Sequence, residues 1–320
     1  IPIMYEELLE ESEGLENETA MTDKALGHQH VEVSLSHSTL RLLDVDLTFE
    51  KVKGSLTYDD IDGLTAKKLT GTLWDKKIVA DISKTVSKKT NVDLLTFSAK
   101  GKTSVESIRQ WADLPVLDFF SGESNFLVDV TIPYLKNNID IAELSVTSSL
   151  QGVVVNLPKP LGKTEDSTST LTVSLPLNFE KSASSATQGN SLHYQVEYAG
   201  LFNGVFSVED KKLKSAAINL KTSADNPPQY PSISEGNFLI KGEMSNFEYE
   251  EWLATYNLYL DAEAKRSSVS NPQFASNSDT QLPSKENNHF STSFDLKPVV
   301  SVRFGKFTMS GFSIDNLRLN

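Results

Sequence analysis

Cysteine is absent from this chain. That excludes disulfide bridges and thiolate metal sites and leaves the redox compartment undecided. Long apolar runs are absent too: no window approaches the ~20 residues of a spanning helix, and no signal peptide is present. The chain opens on Ile1 rather than Met, so the expectation is an internal fragment. The missing signal then says nothing about the parent's location. Positive charge is scarce, with 30 Lys and Arg against 43 Asp and Glu, a net charge of −13 and a pI near 4.9. This balance argues against a nucleic-acid partner, which needs a basic face, and against flat docking on an anionic membrane surface. Hydrophobic content is 38% over 320 residues, low for a two-sided core and suited to a sheet with one face in water.

Recognisable catalytic spacing is missing as well. No G-x-S-x-G elbow and no phosphate-cradling glycine loop occurs. His28 and His30, with His37 nearby, lack a third ligand at metal spacing and read as structural or solvent-facing. Asp44 and Asp46 fall on the wet side of a strand. Asp59, Asp60 and Asp62 are what turns are made of, so solvated carboxylates win over an acid–base pair or a calcium site. The expectation is a non-enzyme with no catalytic residue, no metal and no cofactor.

What the chain does have is period-2 alternation, the mark of strands with one buried and one wet face. Val153-Val155-Leu157 and Leu171-Val173-Leu175-Leu177-Phe179 are two such runs, separated by Pro158-Lys159-Pro160-Leu161-Gly162 and a Ser/Thr-rich loop. The two prolines cannot donate ladder hydrogen bonds, so the first run must stop there. Leu43-Val45-Leu47-Phe49 alternate with Asp44, Asp46, Thr48 and Glu50, and similar runs recur to Leu319. Asp59 to Gly63 reads as a hairpin turn. The period changes at Val105, Ile108 and Trp111, which predicts a short helix near 104–113, capped by Ser104 and closed by Pro115. A second helix is expected near 246–256.

Roughly sixteen strands to two short helices make an all-β pattern. Residues 1–27 are acidic and read as a linker or flexible start. Residues 28–260 carry the strands, 261–291 read as a disordered Ser/Asn-rich insertion, and 292–320 return to strands. Phe97, Lys100, Gly101, Ser104 and Trp111 recur at the same offsets as Phe238, Lys241, Gly242, Ser245 and Trp252. The expectation is a structural repeat of strand, glycine break and Ser-capped helix, its Trp sealed on the sheet.

Two residue patterns carry a family likeness. Gly152-Val-Val-Val-Asn-Leu157-Pro158-Lys-Pro160-Leu161-Gly162-Lys163 resembles the L-P-x-P-L-G-K signature of YhdP-type proteins in the AsmA-like, TamB-related group. Gly54 to Gly71 is similar to that family's strand–turn–strand segment. The likeness covers about Val31 to Leu260 and extends to the final strands. It implies a periplasmic segment of an inner-membrane-anchored protein of the Gram-negative envelope, conducting phospholipid along a β-groove. Membrane contact would come through other parts of the parent. The family's N-terminal membrane helix is not in this sequence, and Asp261–Asn288 matches none of its segments.

By itself the alternation fits a packed sandwich core as well as an open groove. With the resemblance, the expected fold is an elongated, strongly curved antiparallel sheet with two capping helices. Its groove would be lined by Leu43, Val45, Leu47, Phe49, Phe126, Val128, Val130, Ile132, Val153, Val155, Leu157, Leu171, Val173, Leu175, Tyr194, Val196, Val300 and Val302, holding phospholipid acyl chains. Asp44, Asp46, Glu50, Asp129, Thr172, Gln195 and Glu197 would face water. The rival is a structural β-rod with a filled core and no lipid cargo. Bare edge strands would favour association of the fragment through its ends.

Overall fold

The computed structural model describes residues 29–42, 47–87, 91–133, 142–177, 192–209, 212–220, 230–234, 236–269 and 297–320. Among these, one sheet of 15 strands dominates, in the order β1-β2-β3-β4-β5-β6-β7-β9-β10-β11-β12-β13-β14-β15, with β8 off the path beside β6. The first strands are β1 His30–Leu42, β2 Leu47–Asp59, β3 Gly63–Leu73, β4 Lys76–Val86 and β5 Asp93–Ser104. They continue as β6 Phe120–Pro133, β7 Ala142–Ser148, β8 Val153–Val155 and β9 Leu171–Leu177. Then come β10 Leu192–Tyr198, β11 Phe202–Glu209, β12 Lys212–Leu220, β13 Asn237–Glu248, β14 Lys297–Met309 and β15 Phe312–Leu319. The all-β expectation holds. The turn at Asp59 forms as read, its Oδ1 accepting from the amides of Ile61 at 2.9 Å and Asp62 at 3.2 Å.

The expectation of a purely antiparallel sheet is corrected. β12 pairs β13 and β13 pairs β14 in parallel. β12, β13 and β14 therefore run in the same direction, with 16 residues separating Leu220 from Asn237 and 48, the helix Tyr249–Val269 among them, separating Glu248 from Lys297. Parallel neighbours need crossovers of a dozen residues or more, and alternation within a strand carries no information about them.

α1, Val105–Ala112, begins where the sequence predicts, with the Ser107 amide donating to Ser104 Oγ at 3.1 Å. A 3-10 turn, Pro115–Phe119, follows and leads into β6. α2 is Tyr249–Val269, neither short nor confined to 246–256: residues 246–248 still belong to β13, and 261–269, expected to be disordered, are helical. The rest of that insertion and residues 1–27 lie outside the described residues. The final strands number two, starting at Lys297.

The repeat is corrected as well. Ser245 sits in the strand and α2 starts only at Tyr249, whereas α1 starts directly after Ser104. Trp111 is 41% exposed, its ring 6.1 Å from that of Trp74. Trp252 instead packs with Phe247, Phe304 and Phe307 against β14. The matching letters therefore occupy different positions relative to the two helix starts.

Candidate functional site

Residues paired directly across neighbouring strands point to the same side of a sheet, so the register traces each face. The central row on one face runs Leu69, Ala80, Ala99, Val128, Val146, Val173, Val196, Gly204, Ile218, Ile240 and Val300. A flanking row runs Ala66, Ile82, Phe97, Val130, Leu144 and Leu175, and continues through Tyr194, Phe206, Ala216 and Phe238. The row on the other flank holds Ile78, Phe126, Leu171, Tyr198, Phe202, Leu220 and Val302. The central row is thus mostly Ala, Val and Gly between β4 and β11, with aromatic rings on both sides of it. The opposite face is mainly polar: Lys53, Thr70, Val79, Lys100, Leu127, Thr147, Thr172, Glu197, Asn203, Asn219, Lys241 and Ser301 form one row.

The register therefore brings together Leu47, Phe49, Phe126, Val128, Val130, Ile132, Leu171, Val173, Leu175, Tyr194, Val196, Val300 and Val302. Leu47 and Phe49 rejoin this face across a bulge at Lys51, which has φ 54°. Leu43, Val45, Asp44 and Asp46 lie outside the described residues. Glu50, Asp129, Thr172, Gln195 and Glu197 lie on the polar side.

No second sheet covers the apolar face among the described residues. Val128, Val130, Leu144, Val146, Val173, Tyr194, Val196, Phe206, Phe238 and Ile240 are half-buried. Toward β1 and β15 the face opens further, with Val31 at 52% and Leu319 at 43% exposed. Burial pushes the Tyr194 hydroxyl up.

Val153, Val155 and Leu157 are placed elsewhere. β8 pairs with Phe120–Gly122 of β6 beyond the end of the β5–β6 ladder. Val153 and Val155, 1% and 3% exposed, form a closed cluster with Val105, Leu150 and Tyr198, against which Leu157, Leu161, Leu171 and Phe202 pack. This plug closes the apolar face along one side of the strands, near α1. The Pro-rich signature builds it. Pro158 O accepts from the amides of Leu161 at 3.0 Å and Gly162 at 3.2 Å, and Lys163 exchanges backbone bonds with Val155. Gly162 is needed because a Cβ there would collide with the Leu157 carbonyl. Tyr198 Oη donates to Leu161 O at 2.9 Å, tying the loop to the sheet. Lys163 Nζ donates to the carbonyls of Leu150 at 2.9 Å, Thr164 at 2.8 Å and Val153. Desolvation holds this lysine below its usual range. Alternation in the sequence marked β8 as a strand but could not show that it leaves the main path.

Elsewhere the ionisable groups serve architecture. Lys76 and Lys102 both pair with Glu123, at 2.7 and 3.1 Å, and hold its carboxyl below the ordinary value. His30 Nδ1 lies 3.3 Å from Asp59 Oδ2, and His28 is outside the described residues. No cluster of three metal-ligating side chains occurs among the described residues, and no helix among them is long and apolar enough to cross a membrane.

The model of the YhdP protein family matches residues 18–320. The chain belongs to the YhdP family. Members are AsmA-like proteins of the Gram-negative envelope, a family not known for catalysis. No curated protein and no solved structure gives a significant match. The signature that pointed to YhdP in the sequence is the segment that folds into the plug.

Proposed function

We propose that the apolar face holds the aliphatic chains of phospholipid and that this chain is a periplasmic segment of a non-catalytic lipid path between inner and outer membranes. The observation that carries the reading is one apolar face, continuous in register from strand to strand, half-buried along its central row from β6 to β10 and with no second sheet over it among the described residues. A filled rod would need its own side chains to close that face. Acyl chains need a dry lining without unpaired polar groups, each of which costs about 1–3 kcal/mol when buried. The central row meets that demand. Head groups stay in water on the uncovered side, and movement is passive sliding along the rows. Thirteen inter-strand steps of about 4.8 Å give a lining about 62 Å long, measured along the sheet.

The test is solvent extraction of the purified chain followed by mass spectrometry. Phospholipid in defined proportion to protein is the expected result. A clean, folded protein that carries none, and takes none up from vesicles, would support the structural rod instead.

A further inference from the structure

α2 reaches across the sheet. It starts at the end of β13, where the Trp252 ring stacks on Phe247 at 5.8 Å with parallel planes. Its far end meets the 3-10 turn before β6. There Arg266 Nη2 and Nη1 donate to the two oxygens of Asp118 at 2.9 and 3.0 Å, and Nε donates to Asp113 at 2.9 Å. Arg109 adds a contact to Asp118 at 3.2 Å, and Glu106 holds Arg109 from the other side. A forked guanidinium on two carboxylates is a directional joint that a lysine would not reproduce.

The two ends of the helix are anchored to strands far apart in the sheet. From β6 to β13 the order is β6-β7-β9-β10-β11-β12-β13, six steps or about 29 Å along the sheet. Trp252 and Arg266 are separated by about 21 Å of helix rise. A helix resists compression, whereas a single-layer sheet bends and twists readily. The difference of about 8 Å is within what two long end side chains and the twist of a sheet can span.

We infer that α2 is a strut fixing the span of the apolar face between β6 and β13, with the Arg266–Asp118–Asp113 joint as its latch. Opening the latch frees this stretch of sheet to flex and weakens its hold on aliphatic chains. This second consequence rests on the lipid reading; the strut itself does not.

The absence of cysteine allows a clean distance measurement. Spin labels at Val116→Cys and Ala264→Cys, both at exposed positions, report the separation of the 3-10 turn and the end of α2. The otherwise unaltered chain should give one narrow distance distribution. Arg266→Ala should broaden it severalfold, and Arg266→Lys should fall between the two. If Arg266→Ala does not fold, Asp118→Asn opens the same joint from the other side. A distribution unchanged by either substitution, or already broad without one, overturns the strut. Phospholipid retention is the second readout, and it should fall in Arg266→Ala. Broadened distances with unchanged retention overturn the coupling. A chain that carries no phospholipid at all overturns the lipid reading and leaves the strut intact.

Discussion

A carboxylate placed on the apolar face separates an open lining from a filled core, because Val173 on that face and Val153 in the plug differ in burial. Val173 lies in the central row and is half-buried. Val153 lies in the plug, 1% exposed among Val105, Leu150, Val155 and Tyr198. At Val173→Asp the lost burial is about half that of a full valine, or about 1 kcal/mol. The new carboxylate can hydrate over the uncovered side, so the total should stay near 1–2 kcal/mol. At Val153→Asp the charge has no partner and no water. An uncompensated buried charge costs about 3–5 kcal/mol beyond the lost packing, a large part of a typical stability of ~5–15 kcal/mol. Urea unfolding of both variants, read beside the phospholipid each retains, tests the contrast. The expected pattern is a small midpoint shift with loss of lipid at Val173→Asp, and a large shift at Val153→Asp. Equal, large destabilisation at both positions would refute the open face. Small destabilisation with full lipid retention at Val173→Asp would refute its role as lining.

Three further outcomes follow from particular contacts. Lys163→Met leaves three carbonyls without their ammonium and should cost about 2–3 kcal/mol, with lost amide protection confined to residues 149–165 in hydrogen exchange. Gly242→Ala should disrupt the β12–β13 pairing, because Gly242 has φ +123° and a Cβ there would meet the Leu220 carbonyl, with the Leu220 amide nitrogen at 2.9 Å. A loss of about 2–4 kcal/mol is expected, measured by urea midpoint. The latch should also respond to acid. Hydrogen bonding to Arg266 holds the Asp118 carboxyl below its ordinary value of 3.8. Its contribution is therefore fully present above that value and lost as pH falls through the lower folded one. The Val116–Ala264 label distance should stay narrow from pH 8 to 5 and broaden only below about pH 4.

The sequence by itself determined the strands, their two faces and the start of α1. These are local matters: alternation follows from the two-residue period of a strand, and Ser104 caps the helix that begins beside it. It also carried the family, through the Leu157–Lys163 signature. Tertiary structure decided what alternation cannot encode. Val153 and Val155 alternate as well as Val173 and Leu175 do, yet one pair packs in the plug and the other lines the sheet, because β8 finds its partner at the far end of β6. The parallel pairing of β12, β13 and β14 depends on where the chain re-enters the sheet, which is set by crossovers rather than by strand residues. Residues 261–269, polar enough to read as loose, are helical, and Arg266 within them meets Asp113 and Asp118, about 150 residues earlier in the chain. Contacts of that separation leave no periodic trace in either segment, so only the folded arrangement reveals them.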